Sequence, residues 1–206
     1  MKLKLLERKN WPWLAIIATT VLMVLQLRAQ GRVWFCDCES LRFWISDPNG
    51  PHTSQHLADP YALTHLQHGL VFFWAVHMLF KRWPAPWQLW LALAIEAAWE
   101  IIENTRWVIN RYRDATAALG YTGDSVLNSF GDLLACWLGI VIAEKIGWRA
   151  TWILFFACEA LLIFTIRDSL LLNILKVVWW FHTSKRDVFA CFQTEPKNLG
   201  GKASSA

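Results

Sequence analysis

The sequence predicts an all-α integral membrane protein, a bundle of about five transmembrane helices followed by a C-terminal interfacial helix. Three observations predict it. Five apolar segments, at 11–27, 62–80, 87–102, 126–146 and 150–166, reach or approach the roughly 17–25 residues that a spanning helix needs. The chain carries 15 Trp in 206 residues, and Trp rings concentrate at headgroup level in membranes rather than in soluble cores of this size. Lys and Arg cluster at segment ends, as membrane topology requires, so the net charge of +4 does not read as nucleic-acid binding.

The first segment follows Lys2, Lys4, Arg8 and Lys9. That arrangement also suits a signal peptide, but no Ala-x-Ala cleavage pattern stands near Arg28, Ala29 and Gln30, so an uncleaved anchor is expected. The second and third segments are joined by a tight turn with Lys81 and Arg82, and the fourth and fifth by a turn with Lys145 and Arg149. These basic flanks share one side of a five-span bundle, and that side, with the N-terminus, should be cytoplasmic. The longer loops, 28–61 and 105–123, then lie outside. The third segment reaches spanning length only if it continues through Glu103 and Asn104.

Residues 170–181 are apolar but too short to span, and they end in Trp179 and Trp180, which suits an interfacial helix. Residues 1–182 thus read as a single transmembrane helical domain. Residues 183–206 read as a tail whose closing GGKASSA has a disorder-prone composition. Five cysteines are present. Cys136 and Cys158 sit in apolar runs and should behave as small core residues. Cys36 and Cys38 form a C-x-C in a loop; a bridge across one residue would be strained, so each is expected to pair elsewhere, Cys191 included, or to stay free.

Carboxylates interrupt this apolar pattern. Glu96, Glu100 and Glu103 follow one another at spacings of four and three, which places all three on one helical face. A charge at membrane depth is costly, so such residues usually face a bundle interior or a polar cavity and mark function. The predicted topology brings two further polar helix ends to the same outer side. The second helix opens with His65 and His68, and the fourth with Asp124, Ser125, Asn128, Ser129 and Asp132. Asp124, Asn128 and Asp132 recur every four residues and share a face, next to Gly131, Ala135 and Gly139, small residues that let membrane helices approach closely. Glu100 and Asp132 should therefore face each other or a common cavity.

Three chemistries fit. A divalent metal would use His65 and His68, with Glu100, Glu103 or Asp124 completing the shell, since imidazole and carboxylate suit zinc, manganese or iron. A proton or substrate pocket would use Glu96, Glu100, Glu103, Asp124 or Asp132 as an acid or base. Recognition of an anionic headgroup would use Arg106 and Arg111 at the interface, with Asn104, Ser125 and Asn128 as polar contacts. Against all three stands a structural alternative, in which these groups cross-link helices and an Arg neutralises Glu103 or Asp124. His77 lies toward the opposite end and reads as interfacial, as does His182. Glu159 stands alone in the fifth segment. His52 and His56 read as loop residues, although SQHLADPY (54–61) runs straight into His65 and can fold over the site. No H-E-x-x-H, G-x-S-x-G, Walker loop or C-x-x-C occurs.

The blocks GRVWFCDCESLRFW (31–44), SQHLADPYALTHLQHG (54–69), EAAWEIIENTRW (96–107), RY (111–112) and YTGDSVLNSFGDLLAC (121–136) resemble uncharacterised protein family 0314, a group of bacterial multi-pass membrane proteins. The resemblance runs from Gly31 to Asn173 and implies a bacterial inner-membrane location without an established activity. Glu39 and Pro60 depart from the family pattern, which has a small residue and a Trp at those places. The third and fourth helices are also similar to VanZ-like membrane proteins, in which an acidic helix end and an Arg precede a D-x-x-x-N-x-x-G helix, here Asp124, Asn128 and Gly131. That similarity implies a link to the cell envelope. The expected function is binding or processing of a polar or anionic envelope or lipid substrate in an outward-facing acidic pocket. The rivals are a membrane-embedded metal-dependent hydrolase and a polar structural scaffold.

Overall fold

The computed structural model describes residues 10–38, 40–48, 50–115 and 121–176, with the side chains of Arg111, Tyr112, Asp114 and Ala115 left aside. The chain divides into two compact units, Met1–Ser169 and Leu170–Ala206. In the second, residues 170–176 are helical; the rest of the expected interfacial segment, with Cys191 and the tail, lies outside the described residues.

The first unit is all-helical. Its elements are α1 (Trp11–Ala29), α2 (Ala62–Leu79), α3 (Ala85–Glu103), α4 (Arg106–Ala115) and α5 (Val126–Ile166). Among the described residues the only strand-like pairing is an isolated bridge between Trp44 and Ala58. Pro12 and Pro86 sit in the first turns of α1 and α3, where a missing N–H costs nothing. This start carries α3 two residues further toward its N-terminus than the apolar pattern indicated, so it reaches 19 residues and ends at Glu103. The loop expected over 105–123 contains α4, whose polar, Arg-rich sequence masked it. Ser125 caps α5 by accepting the Asn128 N–H at 3.1 Å.

The fourth and fifth apolar segments form α5 together, broken at Gly147, whose φ of 75° and ψ of 172° suit glycine and no other residue well. The chain reverses there. Upstream, Gly131 meets Leu57 and Gly139 meets Leu66, so 126–146 runs in the direction of α2. Downstream, Gln67 bonds the Phe155 carbonyl at 3.1 Å while Trp74 bonds Thr151 at 3.1 Å, so 148–166 runs against it.

The approach of α2 to α5 is close because Gly69 and Gly139 face backbone. A Cβ on Gly69 would collide with the Cys136 carbonyl oxygen, and one on Gly139 with the Leu66 carbonyl oxygen. A buried apolar cluster of Met23, Leu27, Val76, Leu93, Ala97, Leu133 and Ile140 joins α1, α2, α3 and α5 below this polar end. Two helices, α1 and α5, are long and apolar enough to cross a membrane. α2 and α3 have similar length but carry His, Gln and Glu along their buried faces. Large apolar side chains remain exposed on the outer surfaces, among them Ile17, Leu22 and Leu25 of α1 and Ile153, Phe156 and Phe164 of α5.

The loop between α1 and α2 corrects one expectation. Cys36 and Cys38 are joined to each other as a disulfide, because their Cα atoms lie 5.2 Å apart across the bend at Asp37.

Candidate functional site

Two turns of α2 and two turns of α3 supply the centre of the site. His65 and His68 are one turn apart, with ring centroids 5.2 Å from each other, and both face α3. Glu96 meets both. Its Oε1 accepts from His65 Nδ1 at 2.6 Å and its Oε2 from His68 Nδ1 at 2.9 Å. A neutral ring that donates from Nδ1 presents a lone pair at Nε2, so one carboxylate can orient both imidazoles this way. This is how a carboxylate orients histidines for a metal or a substrate proton. Glu96 is fully buried.

Glu100 and Asp132 flank His65 from either side, as the helical spacing anticipated. Glu100 Oε1 lies 3.2 Å from His65 Nδ1, whose proton is already directed at Glu96. Asp132 Oδ2 lies 4.0 Å from His65 Nε2, too far for a hydrogen bond. Glu100 is 0% and Asp132 4% exposed, yet both oxygens of Glu100, Oδ1 of Asp132, Oε2 of Glu103 and the Ser129 hydroxyl have no hydrogen-bond partner. Among the described residues, the ion pairs of this cluster run to His65 or His68 and none to Lys or Arg. Ligand atoms of His65, Glu100 and Glu103 all lie within 4.8 Å of one another, and so do those of His65, His68 and Glu96.

A second polar layer lies above the first, toward the loops, and its groups are engaged. Asn104 Nδ2 donates to Asp124 Oδ2 at 2.8 Å, and Asp124 N–H donates to Asn104 Oδ1 at 2.7 Å. Tyr121 donates its hydroxyl proton to Asp124 Oδ1 at 2.8 Å. Asn128 donates to the His56 carbonyl at 3.0 Å and Ser125 to the Gln55 carbonyl at 3.1 Å. Asp59 accepts the N–H groups of Ser54 at 2.7 Å and Tyr61 at 2.8 Å, and burial pushes its carboxyl above the usual range. The segment 54–61 is thereby pinned across the start of α5, over the inner cluster.

Of the remaining sequence-predicted residues, Arg106 opens α4 and is exposed, while the Arg111 side chain lies outside the described residues. His77 contacts Gln88 at 3.2 Å near the opposite end. Glu159 accepts from Gln67 at 2.8 Å, a buried pairing between α2 and the second half of α5. Gln67 was missed because a lone Gln on an apolar helix has no motif. Tyr121 and Asp59 were missed because their roles depend on loop geometry.

Comparison with known proteins agrees with this picture at family level. Residues 27–187 match the family described as "Protein of unknown function (DUF2585)". A UPF0314 protein of Sinorhizobium fredii is 39% identical over 174 residues, covering 84% of this chain and 88% of the relative. A UPF0314 protein of Paracoccus denitrificans is 41% identical over 172 residues, covering 84% and 89%. A third, from Rhizobium meliloti, is 40% identical over 174 residues, covering 84% and 88%. No solved structure matches the chain. Matched along most of its length by these relatives, the chain belongs to uncharacterised protein family 0314.

Proposed function

We propose that this protein is a five-span bacterial inner-membrane protein that binds a divalent cation at the His65, Glu100, Glu103 and Asp132 cluster. The bound ion acts there on a polar or anionic envelope or lipid substrate. The observation that carries the reading is the set of buried, unpartnered oxygens of Glu100 and Asp132 around a His65 whose Nε2 is free. Buried carboxylates are normally paired, metal-bound or neutralised, and unpaired ones at membrane depth are costly. A divalent ion would bring two positive charges to a cluster whose described ion pairs reach only His65 and His68. His65 Nε2 and Asp132 Oδ2 stand 4.0 Å apart, and a tetrahedral ion with bonds of about 2.0–2.2 Å would draw them a few tenths of an ångström closer. Glu96 then orients His65 and His68 from behind and is not itself a ligand.

Imidazole and carboxylate donors suit zinc, manganese or iron. His65, Glu100, Glu103 and Asp132 would hold the ion, and the chemistry it would supply there, Lewis-acid polarisation and an acidified water, favours hydrolysis as the reaction class. Arg106 stands exposed at the start of α4, three residues past Glu103, and offers a guanidinium to a headgroup phosphate. The five-span arrangement is supported by the reversal at Gly147 between Lys145 and Arg149 and by helical lengths near 30 Å for α1, α2, α3 and each half of α5. The three basic flanks support a cytoplasmic placement of their side, which would leave the cluster at the outer end.

Elemental analysis of protein purified in detergent without chelator tests this reading. About one equivalent of a transition metal is expected, with thermal stability that falls on chelation and returns on readdition. Protein with neither bound metal nor a thermal response to zinc, manganese or iron would leave the cluster as a structural polar network.

A further inference from the structure

A separate group of reactive side chains lies in the loop between α1 and α2. Ligand atoms of Cys36, Cys38, His52 and His56 lie within 4.8 Å of one another, and the two cysteines form a disulfide. Cys36 Sγ accepts the Cys38 backbone N–H at 3.3 Å and lies 3.4 Å from His52 Nδ1. Cys38 Sγ lies 3.2 Å from the Ser40 hydroxyl and 3.7 Å from His56 Nε2. The Ser40 carbonyl, also 3.7 Å away, can take a hydrogen bond only from the thiol form.

The tautomer of His56 decides what this arrangement does. Arg42 N–H donates to His56 Nδ1 at 3.2 Å, so a neutral ring carries its proton on Nε2, the nitrogen that faces Cys38. Burial first, then the nearby charges of His52 and Arg42, disfavour a second proton on the ring. Each sulfur therefore meets donors suited to a thiolate. The loop is also held in place: Ile45 N–H bonds the Ala58 carbonyl at 3.0 Å, and Asn128 bonds the His56 carbonyl at 3.0 Å. Cys38 is exposed and Cys36 half-buried, so an incoming group reaches Cys38 first.

We propose that this loop is a thiol–disulfide exchange centre whose partners are peptides or proteins carrying a pair of thiols. A partner thiolate attacks Cys38 Sγ. The Cys36–Cys38 bond breaks, and its electron pair leaves on Cys36 Sγ, held by the Cys38 N–H and the His52 ring. The partner's second thiolate then attacks the partner's own sulfur in the mixed disulfide. Cys38 leaves as a thiolate held by the Ser40 hydroxyl and His56 Nε2–H. The partner loses two electrons and two protons and becomes a disulfide; the loop gains them and becomes a dithiol. A partner disulfide of higher potential restores the loop by the reverse steps. Two thiolates and two imidazoles also resemble a zinc set, but His56 would have to ligate through the nitrogen that the Arg42 contact leaves protonated.

The test uses full-length protein in detergent, reduced and then titrated by the pH dependence of thiol alkylation, with mass spectrometry to locate the adducts. Cys38 is expected to react with a midpoint below the roughly 8.5 of a free cysteine. In Cys36→Ser, oxidised glutathione should become trapped on Cys38. His56→Ala should slow oxidation of reduced dithiothreitol by the disulfide form about threefold, roughly what one pKa unit in the leaving thiol gives at a Brønsted slope near 0.5. Ser40→Ala, outside the segment that braces α5, should slow it less. A wild-type midpoint at or above that of free cysteine, unmoved by both substitutions, would overturn the proposal. So would a reduced protein that holds one equivalent of zinc and loses it in Cys36→Ser, a result that would assign a metal site instead.

Discussion

The two polar layers at the loop end of the bundle are built from the same residue types and differ in one respect. In the upper layer, Asn104, Asp124, Ser125, Asn128 and Asp59 meet partners with matched donors and acceptors. In the lower layer, Glu100, Asp132, Glu103 and Ser129 keep buried oxygens with none. A satisfied polar network rigidifies a fold and gains nothing from a ligand. An unsatisfied one costs free energy until something binds. The upper layer therefore holds the loop over α5, and the lower layer is where a ligand would gain most. Acidic character alone would not have separated them.

The largest expected effect lies in the lower layer. Removing both Glu100 and Asp132 as Ala should weaken metal binding at least on the order of 100-fold. Metal-free thermal stability should stay level or rise, because two unpaired buried groups are gone. A large loss of folded protein, measured by size-exclusion chromatography in detergent, would break the contrast between the layers.

Asn104→Ala probes the upper layer. It strands Asp124 Oδ2 and the Asp124 N–H, while Tyr121 still holds Oδ1, and should cost about 1–3 kcal/mol of stability. Metal content per folded molecule should hold at the wild-type level. If metal is lost while thermal stability is unchanged, Asn104 belongs to the lower layer and the division is wrong.

The smallest effect concerns His56, which braces the upper layer through its carbonyl. Its folded-state proton affinity is lowered, chiefly by burial, so the unfolded chain takes the proton first. Stability should therefore fall as pH drops through about 6.5 toward the lower folded value. His56→Gln should flatten that part of a thermal-unfolding profile against pH. An unchanged slope would assign the acid sensitivity to another group.

Much of the fold was legible in the sequence because apolar length and helical period are local properties. The helix bounds of α2, the break between the last two apolar segments and the shared face of Glu96, Glu100 and Glu103 follow from residue order alone. So does the approach of Gly131 and Gly139 to a neighbour, since small residues at a helical spacing mark such a face. α4 was hidden because a short, charged helix has no apolar period long enough to declare it.

Residue order also determined that His65 and His68 would meet the acids of α3, given the alternation of direction along the chain. Only the tertiary structure decided which acid does what. Glu96 takes both imidazole protons, Asp124 is bound by Asn104 and Tyr121, and Glu100 and Asp132 are left open. It likewise decided that Cys36 and Cys38 bond to each other beside His52 and His56, residues 16 and 18 positions further along from the sulfur each one meets. The reason is physical. Spacing along a helix sets the face on which a side chain lies, whereas hydrogen-bond satisfaction depends on distances of a few tenths of an ångström between segments that meet only when the chain has folded.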